Sequence, residues 1–135
     1  MAIRILIGLF MVLHGLVHLL YAGQALRLFQ LPGVDWPDGS WAFSRLFGQA
    51  VTRWQAGFAC ALATLGFVVG GVGILAGQGW WRPVIVGAAA LSSAIFFFSW
   101  NGRLQKLSEQ GLIAILINAA ILILVLGFRW PDFEF

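Results

Sequence analysis

The chain lacks most of what a water-facing surface requires. Only 10% of its 135 residues are charged, eight basic and five acidic, whereas 61% are hydrophobic. A soluble domain carries about 25% charged residues, so much of this exterior is expected to face lipid. The length suits one compact unit. Carboxylates are absent from every long apolar run, which removes the usual intramembrane group for proton or cation transport. Cysteine is reduced to Cys60, so an internal disulfide and CxxC redox chemistry are excluded. A basic cluster is missing too. Arg4, Arg27, Arg45, Arg53, Arg82, Arg103, Lys106 and Arg129 stand singly. Scattered cations make no phosphate track, so nucleic acid is not an expected partner. They suit anchoring beside anionic head groups.

What is present is long apolar sequence. Four runs, about residues 5–22, 55–76, 84–100 and 111–128, contain no Asp, Glu, Lys or Arg. Each approaches the roughly 20 residues that cross a hydrocarbon core at 1.5 Å per residue. They do not alternate as barrel strands would, and backbone in lipid must pair internally, so helices are expected. The expected fold is an all-α membrane protein, a four-helix transmembrane bundle forming a single domain over residues 1–135. Arg4 followed by an apolar run resembles the start of a signal peptide. The run is long for that role and is expected to be the first span. Trp80, Trp81 and Trp130 are expected at one interface, Trp54 and Trp100 at the other.

The first connection is the long one. Leu31-Pro32-Gly33 and Trp36-Pro37-Asp38-Gly39 carry turn chemistry, and Ser40 suits a helix N-cap. Phe43, Leu46, Phe47, Ala50, Val51 and Trp54 then recur at helical spacing. This predicts an amphipathic interfacial segment, or a bent lead-in to the second span, placed to cover the bundle mouth. The first and third loops carry five cations against three on the other side. That leans towards cytoplasmic loops and non-cytoplasmic termini. No internal repeat suggests an inverted-repeat transporter. Gly66/Gly70 and Gly73/Gly77 form GxxxG pairs, and Gly8, Gly15 and Ala22 recur every seven residues, as close helix packing in lipid requires.

The strongest chemical signal is His14-Gly15-Leu16-Val17-His18. Histidines at i and i+4 share a helix face, and polar residues inside a membrane are functional candidates. Aligning span centres places His14, Thr64, Ser92, Ser93 and Asn118 in one midplane layer. His18 lies about 6 Å higher, level with Cys60, and Tyr21 continues the face. Gln24, Gln55, Ser99 and Asn101 extend polarity towards the first and third loops. Ile7, Leu75, Val84 and Val125 seal the other end. A pocket, where present, is therefore expected to open on the loop side. The candidate ligand-binding residues are His14, His18, Tyr21, Ser92 and Asn118. Without a ligand role, Asn118, Ser92 and His14 are expected to hydrogen-bond between helices and fix the bundle register, and the hydroxyls of Ser92, Ser93 and Thr64 can also bond back to their own helices.

Several chemistries fit poorly. HxxxH without an intervening Glu lacks a third metal ligand, so no metal is expected on His14 and His18. No GxSx motif supports a serine hydrolase. A haem or chlorin pigment could use one imidazole beside Gly15, and a quinone could use histidine with aromatic neighbours. The Phe96-Phe97-Phe98 run is read as lipid-facing or interhelical packing. Two function classes remain. One is a non-catalytic accessory or structural subunit, with the lipid bilayer and other membrane subunits or further copies as partners. The other is a pigment-, haem- or quinone-binding component using the histidine face.

Overall fold

A computed structural model describes residues 1–37 and 39–133 of the chain. Asp38 of the Trp36–Gly39 turn lies outside the described residues. Among these residues the chain is helical and has no strand. Helix α1 spans Ala2–Ala25, α2 Ser44–Leu75, α3 Trp81–Phe98 and α4 Leu112–Leu122. A 3-10 helix, Leu104–Gln110, precedes α4, and a π-helical turn, Ile123–Gly127, extends it. Helices α1 to α3 are long and apolar enough to cross a membrane. The fourth run meets that length only when joined to the 3-10 helix across a 70° bend. Gly111, at φ 94°, makes the corner. The helical stretch Leu112–Gly127 matches the run 111–128 to within a residue at each end.

Packing follows chain order, α1 on α2, α2 on α3 and α3 on α4, whereas α1 and α4 do not pack along each other. The first seam is one of close approach. A Cβ added at Gly15 would lie 2.8 Å from the Phe67 Cβ and 3.2 Å from the Thr64 carbonyl oxygen. At Gly71 it would lie 2.8 Å from the Gly8 carbonyl oxygen. Gly66 and Gly70 serve the next seam, against Ala88 and Ile85 of α3. The second GxxxG pair does not pack as one: Gly77 is a turn residue at φ 69°. Van der Waals contact is the main adhesive between helices in an apolar solvent, so these small residues set the interhelical distance.

The two ends are tied separately. At one end Lys106 pairs with Asp35 at 2.6 Å, and the Trp41 amide donates to the Trp100 carbonyl at 2.8 Å. The first and third loops therefore share that end. At the other, the Arg82 guanidinium donates to the carbonyls of Arg129 and Pro131 and pairs with Asp132 at 3.2 Å. Trp80 and Trp130 are exposed as interface residues would be, but Trp81 is buried in the core. It is one turn from Ile85 on the inward face of α3.

The amphipathic segment is the bent lead-in to the second long helix, joined to it through a kink. Gly48 (φ 79°, ψ 165°) breaks α2 after its first residues, and the Thr52 hydroxyl donates to the Gly48 carbonyl across the break. Ser40 caps the turn before α2 rather than the helix itself. Its hydroxyl oxygen accepts from the amides of Ala42 and Phe43, and the hydroxyl donates to the Phe98 carbonyl. Leu46, Phe47, Val51 and Trp54 point out of the protein. Gln49, Thr52 and Arg53 line a cavity on the other side.

The α1/α2 seam yields a first prediction. Alanine at Gly15 gains about 1 kcal/mol of helix propensity but overpacks a backbone contact, at a cost of roughly 1–3 kcal/mol. Gly15→Ala is expected to lower the unfolding temperature in detergent. Gly87→Ala, with nothing within 4 Å of the added carbon, is expected to leave it equal or higher. Equal melting of Gly15→Ala and the parent would show that the seam is not tight.

Candidate functional site

Two apolar clusters fill the bundle, and a polar layer divides them. One holds Met11, Phe67, Ala88, Ala89 and Ile121, the other Ala22, Cys60, Ile95, Phe96 and Ala114. On each helix the polar residue falls between the two: His14 and His18 on α1, Thr64 on α2, Ser92 on α3, Asn118 on α4. His14 is 7% exposed, His18 1%, and Ser92 and Asn118 fully buried.

Four of these side chains form one hydrogen-bonded network, and its polarity follows from one bond. The His18 Nδ1 faces the His14 carbonyl oxygen at 2.9 Å. A carbonyl only accepts, so Nδ1 carries the proton and, in a neutral ring, Nε2 is the acceptor. The Ser92 hydroxyl, 2.6 Å away, then donates to His18 Nε2. With its proton committed, Ser92 Oγ accepts from the Asn118 Nδ2 at 2.7 Å. That orients the amide, and Asn118 Oδ1 accepts from His14 Nε2 at 2.9 Å. Reversing the Asn118 amide would oblige His18 to carry two ring protons, an imidazolium with no carboxylate in the bundle to face it. The neutral assignment avoids that unpaired charge. His14 Nδ1 remains as the acceptor end, with no hydrogen bond among the described residues.

Phe67 packs on both imidazoles, with ring centroids 4.8 Å from His14 and 5.3 Å from His18. Phe10 stacks on His14 at 5.9 Å. Phe96 lies 5.9 Å from His18 and is fully buried, whereas Phe97 and Phe98 are exposed. Only the first residue of the Phe run belongs to the site.

The remaining candidates divide. Thr64 bonds back to the Cys60 carbonyl at 3.0 Å, as expected of a helical hydroxyl. Ser92 does not; it joins α1 to α4. Ser93 is half-buried and outside the network. Tyr21 makes no hydrogen bond of the network, and its ring packs edge-on against Trp36 and Phe96 at 5.6 and 4.9 Å. Gln55 is exposed, and Cys60 is a buried free thiol. Gln24 staples the first loop, its amide donating to the Val34 carbonyl and accepting from the Leu31 amide. No group of three His, Cys, Asp or Glu among the described residues could hold a metal ion.

Sequence reasoning missed Trp36. Read as part of a turn, it is 1% exposed and packs on Tyr21 and Phe96. This aromatic group stands between the histidines and a loop-end cavity of about 470 Å³. The cavity does open on the expected side, but neither histidine lines it. Nor does either line the 250 Å³ groove between α1 and α4 or the 370 Å³ groove between α2 and α3. The plug is formed by Trp36 and not by residues 41–54. No signal in the sequence distinguishes a tryptophan folded inwards from one in a solvated turn.

The network generates two expectations. Ser92→Ala leaves a ring nitrogen and an amide without their partner and should cost about 1–2 kcal/mol in detergent unfolding, against no measurable loss for Ser93→Ala. Nitrogen NMR of labelled imidazoles should show opposite neutral tautomers, Nδ1–H for His18 and Nε2–H for His14. Identical tautomers would contradict the assigned polarity. Among known proteins there is no guide to these residues: no family model matches the chain, and no curated protein or solved structure matches it.

Proposed function

We propose that the chain is an integral membrane protein crossing the bilayer four times, and that it acts as a non-catalytic accessory or structural subunit of a larger membrane assembly. The carrying observation is the closure of the polar network. Both imidazole Nε2 atoms, the Ser92 hydroxyl and the Asn118 amide are engaged with one another, and no described cavity reaches them. A catalytic constellation needs a reacting atom within hydrogen-bond reach of its groups, and this layer leaves no room for one. The side chains instead fix which helix faces meet.

The exterior supports the same reading. The grooves between α1 and α4 and between α2 and α3 are lined almost wholly by apolar side chains. They offer concave seats to neighbouring apolar helices, either of other subunits or of further copies. The loop end carries more cations than the opposite end, which favours a cytoplasmic position for it, with both termini on the other side.

Haem, a chlorin pigment or a quinone at the histidine face is the alternative. Ligation through His18 would require breaking its bond to Ser92. Ligation through His14 Nδ1 would require a ring to enter beside Phe10.

Purification from the native source in mild detergent tests both. The expected result is a colourless protein that migrates with a large assembly on native gels. A stoichiometric Soret or chlorin band, lost in His14→Ala or His18→Ala, would replace this reading with the alternative. A colourless protein that runs alone at every detergent concentration would overturn the subunit proposal.

A further inference from the structure

The loop-end cavity of about 470 Å³ is separate from the histidine layer and differs from it in kind. It lies between the first loop and the opening turns of α2, and it is rich in donors. Arg27 and Arg53 both line it, and neither guanidinium is paired among the described residues. The one carboxylate described in its wall, Asp35, is held by Lys106 of the third loop at 2.6 Å. Among the described residues the cavity therefore carries two cations without a counter-ion.

A second observation comes from the floor. Trp36 is 1% exposed, and its indole N–H is shielded from water with no hydrogen-bond partner among the described residues. Buried donors are almost always paired. The ring packs against Tyr21 and Phe96 and closes the cavity floor. The position of Arg27 agrees with this. It takes φ 60° at the end of α1, where the Leu28 amide reaches back to the Gly23 carbonyl at 2.9 Å. This helix-ending turn usually employs glycine. Arginine there accepts backbone strain and puts a cation at the rim.

We propose that this cavity binds a phosphate oxyanion, held by Arg27 and Arg53. Guanidinium groups match phosphate geometry in paired hydrogen bonds. Phe29 and Leu31 add apolar wall beside the charges, so the phosphate is expected to carry an apolar substituent. An anionic lipid head group and a soluble phosphate share this chemistry. The inference stands on the cavity and does not depend on the subunit role.

The test is titration calorimetry of the full chain in non-ionic detergent. The probes are dihexanoyl phosphatidylglycerol, dihexanoyl phosphatidylcholine and inorganic phosphate. Phosphatidylglycerol is expected to bind, and Arg27→Gln/Arg53→Gln to weaken it about tenfold or more. Inorganic phosphate binding with the same dependence on the arginines assigns the site to a soluble phosphate. Binding of phosphatidylglycerol alone assigns it to a lipid head group. The proposal is overturned if phosphatidylcholine binds as tightly as phosphatidylglycerol, if neither phosphatidylglycerol nor inorganic phosphate binds the parent, or if the double variant binds like the parent. Should the double variant not fold, Arg27→Gln at its exposed position carries the test, with about threefold weakening expected and unchanged binding overturning the proposal.

Discussion

Everything in the bundle interior depends on one constraint: a polar side chain with apolar surroundings must find its partners inside the protein. Histidine, serine and asparagine are placed where two apolar clusters meet, and each spends its polar atoms on the others. The chain His18–Ser92–Asn118–His14 ties α1 to α3 and α3 to α4. It also closes the space between α1 and α4, which otherwise meet across an open groove. Helix α2 takes no part in the network. It is held by shape, through the close approach of Gly15 to Phe67 and of Gly8 to Gly71, and its own polar residue, Thr64, is satisfied within the helix. Two kinds of adhesion are thus assigned to different helix pairs.

Magnitudes say what the network is for. Interhelical hydrogen bonds in membrane proteins contribute about 0.6 kcal/mol on average and up to about 1.7. Three such bonds do not rival the packing of four helices. What they do is penalise every alternative arrangement. Rotating α4 by one residue, about 100°, would carry Asn118 away from both His14 and Ser92 and leave several buried groups unpaired at once. The network accordingly acts on specificity, selecting one register among the many that apolar helices with small-residue faces could adopt.

The parts of this that were legible in the sequence are those set by period and depth. Four charge-free runs fixed the helices to within a few residues at most ends, and aligning their centres brought His14, Ser92 and Asn118 to one level. Two features were less legible, each for a physical reason. Ser92 could bond between helices or back to its own helix, as hydroxyls generally can; only the arrival of His18 and Asn118 on either side selects the interhelical bonds. Trp36 was hidden because its burial is a long-range event. A loop residue reaches the core only when the loop is stapled, here by Gln24 to Leu31 and Val34 and by Asp35 to Lys106.

Trp36 also explains why the molecule has two polar regions of opposite character. Below it, four hydrogen bonds join His14, His18, Ser92 and Asn118, leaving one lone pair on His14 and the second Asn118 amide N–H outside the network. Above it, two guanidiniums line a cavity whose described carboxylate is already paired. An apolar plate of Trp36, Tyr21 and Phe96 keeps the two apart. Because charged groups are screened by water above the plate and unscreened below it, an anion at the arginines would reach the histidine layer chiefly by moving the plate itself. Trp36 touches both the donor-rich cavity and Phe96, and Phe96 touches His18.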